Sequence, residues 1–220
     1  MKVLVQVAMD SEYAEVLKLL GGKPEGEIAG NEIILGRSGI GKVNAAVRAV
    51  ELINLHHPAC LVSTGVAGGI DPLLHSMDLV VARRVVYHDV WCGRGCEYGR
   101  VQGQPLYYEA DETLYNCAMS LGGKAAVHGG LVCSGDMFID DDKESGKIKE
   151  RFPDGIAVDM ESAALAQVCR IYGVPFLSLR MISDVAGNHH MDDYENFWET
   201  LSEKSFGVIK DFLERLPDKL

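Results

Sequence analysis

GIAVDMESAALAQVCRIYGVPFLSLRMIS, residues 155–183, decides the fold. GIAVDM at 155–160 reads as a buried strand, 161–172 as an amphipathic helix, Gly173 with Pro175 as the stop, and PFLSLRMIS at 175–183 as a second strand. The same alternation runs outward through the chain. VLVQV at 3–7, CLVST at 60–64 and DLVVARRVV at 78–86 read as further strands, and 11–20, 42–55, 112–121 and 195–215 as further helices. Short buried strands alternating with helices imply a mostly parallel sheet covered on both faces. EGEIAGNEIILG at 25–36 adds a hairpin with its turn at Gly30 and Asn31, which makes the sheet mixed. The expected class is α/β. WCGRGCEYGRVQGQPLYYEA at 91–110 has no periodicity and reads as a long ordered loop, of the kind that serves a function or covers an interface.

A chain of 220 residues with 47% hydrophobic content closes one sizeable core, so a single domain over 1–220 is expected. The formal charge of -11 argues against nucleic acid as a partner, because binding phosphates requires clustered Lys and Arg. A small molecule fits better. MKVLVQVAMDSE turns acidic after a few apolar residues, too soon for a signal peptide or a membrane span, which points to the cytoplasm and away from membranes. Cys60, Cys92, Cys96, Cys117, Cys133 and Cys169 are scattered in the manner of reduced thiols. His88, Cys92 and Cys96 have a spacing that zinc could use, but no fourth ligand lies nearby, and no metal is expected.

Two glycine clusters come close to known motifs. Gly36 to Val43 has the spacing of a phosphate-binding loop until Val43 replaces the hydroxyl that would hold magnesium. Thr64-Gly-Val-Ala-Gly-Gly69 follows CLVST, at the strand end where ligands gather in open α/β sheets, but it lacks dinucleotide spacing. No cofactor is implied.

Three acids sit where strands run out: Glu12 after VLVQV, Glu161 after GIAVDM and Asp184 after PFLSLRMIS. Each has a plain structural alternative as a helix-opening or capping acid. Arg180 lies in a strand of otherwise apolar residues and needs an anionic partner. Cleaving an N-ribosidic bond requires a proton for the leaving base and an activated water at the anomeric carbon. Two carboxylates in different protonation states supply both.

The motifs AMDSE (8–12), SGIGKVNAA (38–46), STGVAGGI (63–70), YHD (87–89), SGDMFI (134–139), VDMESAALAQVC (158–169) and VPFLSLRMISDVA (174–186) span most of the chain. Together they resemble the 5′-methylthioadenosine/S-adenosylhomocysteine nucleosidases of the purine nucleoside phosphorylase superfamily. The resemblance implies a three-layer α/β/α sandwich with a mixed central sheet, and hydrolysis of both nucleosides to adenine and the thio-substituted ribose without a cofactor. It implies that Glu12 activates the attacking water with help from Arg180, and that Asp184 protonates purine N7, oriented by Ser183. Glu161 would hold the ribose hydroxyls and Met160 pack on the sugar. Phe138 would stack on adenine while the backbone of Ile139 bonds its edge. Met9, Ile40, Val66, Ala67, Gly68 and Tyr194 would line the rest of the pocket. The family is homodimeric, and Pro105 would reach in from a second subunit.

Three positions depart from the family pattern. Val66 stands where many relatives carry Ser, Arg94 where an apolar residue closes the 5′ pocket, and Tyr194 where Phe is common. They leave open 5′-deoxyadenosine, aminodeoxyfutalosine or futalosine as alternative substrates. The rival reaction is phosphorolysis, for which Arg37, Lys42, Arg83 and Arg84 are the available cations. Against it, STGVAGGI holds no arginine and Glu12 would repel phosphate. A non-catalytic nucleoside-binding module is the rival of another class, and the paired acids argue against it.

Overall fold

Alternating valine and leucine keep both faces of the central strands out of water, and a computed structural model shows the layers that result; it describes residues 1–122, 126–185 and 205–220. In β1 (Lys2–Val7), Val3, Val5 and Val7 pack on one face and Leu4 on the other. The chain continues as α1 (Asp10–Leu19), β2 (Glu25–Ile28), β3 (Asn31–Arg37), α2 (Lys42–His56), β4 (Cys60–Gly69), β5 (Leu79–Tyr87), β6 (Tyr108–Glu109), α3 (Glu112–Met119), β7 (Val127–Ser134), α4 (Asp142–Arg151), β8 (Gly155–Asp159), α5 (Ser162–Tyr172), β9 (Phe176–Val185) and α6 (Ser205–Arg215). The N-terminal part of the helix expected over 195–215 lies outside the described residues.

Helices α1, α3 and α6 bury Val16, Leu114 and Phe212 against one face of the sheet. On the other face α2 and α5 bury Ala45, Ala49, Leu52, Leu165 and Ala166. The result is a three-layer α/β/α sandwich. Helix α5 stops at Gly173, which takes the left-handed conformation at φ 68°. The long loop is held by its aromatic residues: Arg151 lies 3.9 Å above the Tyr98 ring and Arg84 lies 4.6 Å from the Tyr107 ring centre.

The sheet is mixed for more reasons than the hairpin. Strands β3, β1, β4 and β9 run parallel, as do β5, β7 and β8, and the two blocks meet antiparallel at β4–β8 and β5–β9. Because β9 pairs with both β4 and β5, the strands β4, β8, β7, β5 and β9 close into a ring. Strand β4 pairs with β1 along Cys60–Ser63 and with β8 only at Gly68 and Gly69. Beyond the end of β1, residues Val66, Ala67 and Gly68 of β4 line the site.

The hairpin turn is Ala29–Gly30, with φ 48° and 80°, one residue earlier than expected. Asn31 belongs to β3, and its buried Oδ1 accepts the N-terminal ammonium at 2.8 Å. Strand β7 and helix α4 were not expected, nor was β6, which falls inside the stretch 91–110 expected as a loop. A Cβ on Gly129 would sit 2.0 Å from the Tyr115 hydroxyl oxygen, and one on Gly130 would sit 2.4 Å from Ile156 Cδ1. Those glycines allow close packing and at the same time erase the strand pattern. In α4 only Ser145 and Ile148 are buried, so it carries no apolar stripe.

Candidate active site

Glu12 lies in the first turn of α1, where its Oε2 accepts the amides of Ala8 at 3.0 Å and Met9 at 2.9 Å. Its Oε1 crosses to β4 and accepts the Val66 amide at 3.0 Å. The helix-opening role and the role at the site therefore fall on one side chain. Residue 65 must be glycine for this reach, since a Cβ there would stand 2.3 Å from Glu12 Oε1. Burial pushes the Glu12 carboxyl above its usual range, against the pull of the Met9 amide, Arg180 and the amides of Val66 and Ala8.

Glu161 occupies the N-cap position of α5, yet its Oε1 accepts the amide of Gly41 at the start of α2, at 2.9 Å. Burial, then the neighbouring Asp159, raises its pKa to about 7, opposed by Arg180 and the Gly41 amide. Asp184 lies within β9, one residue before its end. The pairing of β9 with β4 skips Ser183, so Ala67 faces Ile182 and Gly68 faces Asp184. A bulge of this kind re-aims side chains. Ser183 Oγ donates to Asp184 Oδ1 at 2.5 Å and lies 3.2 Å from the Ala67 carbonyl.

The anionic partner that Arg180 requires is Asp159, a residue the sequence reading passed over. Arg180 Nε donates to Asp159 Oδ2 at 2.8 Å, and Nη2 donates to Ser63 Oγ at 2.8 Å. Ser162 adds its hydroxyl to the same carboxylate oxygen. Asp159 was legible in principle as an acid at the end of β8, two residues before Glu161.

Glu12, Asp184, Glu161, Met9, Ile40, Val66, Ala67, Gly68, Phe138, Ile139, Met160 and Ser183 line one cavity of about 100 Å³, together with Ala8, Met137, Val158 and Asp159. Ile40 and Phe138 are each half exposed at its mouth. Arg180 does not line this cavity; it borders an adjoining smaller one that shares Ala8, Glu12, Val66 and Glu161 with it. Pro105 is elsewhere, in a groove of about 560 Å³ with Tyr107, Tyr108 and the far end of α5. Tyr194 lies outside the described residues. Arg94 is exposed on the long loop.

The stretch resembling a phosphate-binding loop is filled by the protein's own acids. Glu161 takes the Gly41 amide, Asp136 takes the Lys42 amide at 2.8 Å, and Asp89 holds the Lys42 ammonium at 2.7 Å. Arg37 pairs with Asp10, Arg83 lies over the Tyr115 ring, and Arg84 contacts Tyr107 and Asp154. None of these cations lines the cavity. Among the described residues, no group of three or more His, Cys, Asp or Glu could hold a metal ion, and no helix is long and apolar enough to cross a membrane. All six cysteines are free, and burial raises Cys60 and Cys133 to about 12, far from a reactive thiolate.

The sequence profile of the phosphorylase superfamily matches residues 2–214. The 5′-methylthioadenosine/S-adenosylhomocysteine nucleosidase of Geobacillus kaustophilus is 38% identical over 234 residues, covering 100% of this chain and 99% of its own. The nucleosidase of Colwellia psychrerythraea, solved in complex with adenine, superposes with a TM-score of 0.93 at 30% identity and covers 100% of this chain and 97% of that chain. The enzyme from S. pneumoniae, solved with the transition-state inhibitor MT-ImmA, gives 0.91 at 32% identity, covering 99% and 100%.

Proposed function

The chain belongs to the 5′-methylthioadenosine/S-adenosylhomocysteine nucleosidases of the phosphorylase superfamily, and from that membership we propose that it hydrolyses the N-ribosidic bond of both nucleosides, releasing adenine and the thio-substituted ribose. The observation that carries the chemistry is that Glu12, Glu161 and Asp184, from three separate strand ends, line one cavity with no Lys or Arg among the described residues of its wall. Glu12, an acceptor held by three backbone amides, takes a proton from the attacking water. Asp184, fixed by Ser183, gives a proton to the leaving adenine at N7. Glu161 accepts the ribose hydroxyls and Met160 packs on the sugar, while Phe138 covers the adenine and the Ile139 backbone meets its edge. Arg180, held by Asp159, borders the small cavity beside Glu12 and helps to place the attacking water. The amides at the head of α2, which a phosphate would need, already carry carboxylates.

The same reading takes the protein as one cytoplasmic domain that works as a homodimer without a cofactor, Pro105 entering the partner's site; the free thiols support the compartment. The test is to incubate protein with methylthioadenosine in phosphate-free buffer, then with phosphate, and to separate the products. Free adenine and methylthioribose, indifferent to phosphate, are expected. Adenine formed only with phosphate, alongside a sugar 1-phosphate, would overturn the role of Glu12. Glu12→Gln and Asp184→Asn are each expected to lower kcat by on the order of 10² or more. Turnover within about threefold in both would end the acid–base assignment.

A further inference from the structure

Asp184 takes its direction from the bulge at Ser183, so whatever holds Ser183 decides where the carboxyl points. On the β4 side, Ser183 Oγ lies 3.2 Å from the Ala67 carbonyl. On its other edge β9 pairs with β5 only at Leu179, Arg180 and Met181. Beyond Met181 its partner is the short segment that leads into β5. Ile182 donates its amide to the Asp78 carbonyl and accepts the Met77 amide, both at 2.9 Å. One residue further, Ser76 Oγ donates to the Ser183 carbonyl at 3.1 Å.

The turn that presents Ser76 is fixed at both ends. Asp78 donates its amide to the His75 carbonyl at 3.0 Å, and its buried carboxylate accepts the His75 amide at 2.9 Å. The same oxygen, Oδ2, is 3.0 Å from His128 Nε2 on β7. Between these anchors Met77 holds φ at 75°, in the left-handed region that glycine usually fills at the third position of such a turn. A residue with a side chain pays on the order of 1 kcal/mol there. Such a conformation persists only where its surroundings over-determine it, and it gathers at functional sites. Here the turn delivers the Met77 amide to Ile182 and the Ser76 hydroxyl to Ser183.

We propose that Ser76 is a positioning residue for the catalytic acid, its hydroxyl acting through the Ser183 carbonyl to aim Asp184 at the N7 of the leaving purine. The proposal rests on the reading of Asp184 as the acid. The physical link is the peptide group between Ser183 and Asp184. It is planar, so a bond to the Ser183 carbonyl oxygen fixes the plane in which the Cα of Asp184 lies. With Ser183 Oγ holding Asp184 Oδ1, the carboxyl is constrained at its root and at its tip. Ser76 does not itself line the cavity. Its effect therefore falls on proton delivery, which requires the acid within hydrogen-bond reach of its acceptor.

The experiment compares wild type, Ser76→Ala and Ser76→Thr in kcat and KM for methylthioadenosine, and in the inhibition constants of adenine and of 7-deazaadenine, in which a C–H group replaces N7. Ser76 is exposed, so neither change disturbs the core. For Ser76→Ala, kcat is expected to fall by about threefold to tenfold with a smaller change in KM, and the preference for adenine over 7-deazaadenine to shrink by a similar factor. Ser76→Thr keeps the hydroxyl and should restore both. A merely structural role would weaken the two inhibitors alike; that result, or an unchanged kcat, overturns the proposal. Asp184→Ala separates this proposal from the reading beneath it. If that variant keeps the wild-type preference for adenine, Asp184 is not the N7 acid and the role of Ser76 goes with it. If it loses the preference while Ser76→Ala retains it, the acid stands and Ser76 has no part in aiming it.

Discussion

At Glu161 the protein holds a carboxylate where its charge is opposed, with burial and Asp159 together setting its pKa to about 7. Ribose hydroxyls are held best by the ionised form, so kcat/KM is expected to fall as pH drops below about 7. Glu161→Gln should be weaker throughout and should lose that dependence; a profile shared with the wild type would place the titration elsewhere. Stability moves the other way. The folded protein keeps a proton that the unfolded chain, at the ordinary 4.5, releases, so the stability this group contributes is lost as pH rises from about 4.5 to about 7. Melting temperatures of wild type and Glu161→Gln across that range test the sign. Gly65 yields a second prediction at this scale. Its replacement by alanine puts a methyl group 2.3 Å from Glu12 Oε1 and displaces the proposed base, which should lower kcat by on the order of 10². Retention of full activity would mean that Glu12 does not need this position. The sequence exposed the acids as types at strand ends, and it exposed the need of Arg180 for a partner. It did not reveal that the partner is Asp159, because β8 and β9 are brought together only through their shared neighbour β4.

The head of α2 joins the two halves of the site. Its first amides bind Glu161 from α5 and Asp136 from the loop after β7, and Asp89 ties that loop down by accepting the Asp136 amide at 2.8 Å and the Lys42 ammonium at 2.7 Å. Phe138 and Ile139 ride on the same loop. Asp89→Ala removes the acceptor of the Asp136 amide and leaves Lys42 only its longer ion pair with Asp136 at 3.8 Å, and should cost about 1–3 kcal/mol of stability. It should raise KM more than it lowers kcat, because it loosens adenine contacts without touching Glu12 or Asp184. Steady-state kinetics with thermal unfolding will show this, and an unchanged KM in a folded variant would detach the clamp from adenine binding. Element boundaries were legible wherever apolar spacing survived, as in β1, α2 and α5. They were lost in β7, where close packing demanded Gly129 and Gly130, and in α4, which is held by its Asp141 cap and by Ile148 instead of an apolar stripe. Ring closure through β9 was not legible, because both of its partners lie far away in the chain.

For the whole molecule, the decisive feature is an apolar face left in water. Val43 and Val47 on α2 are 72% and 54% exposed, and Ile40, Met137 and Phe138, which line the cavity, are 50%, 45% and 50% exposed. A second copy of the chain covering this face would bury those side chains and close the mouth together, which is what the proposed homodimer requires. Pro105 of the same chain does not line its own cavity; it lines a separate groove with Ala166, Cys169, Arg170 and Gly173 of α5 and its end. Val47→Arg places a charge in the centre of the face without touching the cavity lining. The variant is expected to run as a monomer in sedimentation, with kcat/KM lower by about tenfold or more for want of the partner's closure. A variant that remained dimeric would move the interface off this face. A monomer with full activity would show that each chain holds a complete site, leaving Pro105 and the long loop without a catalytic part.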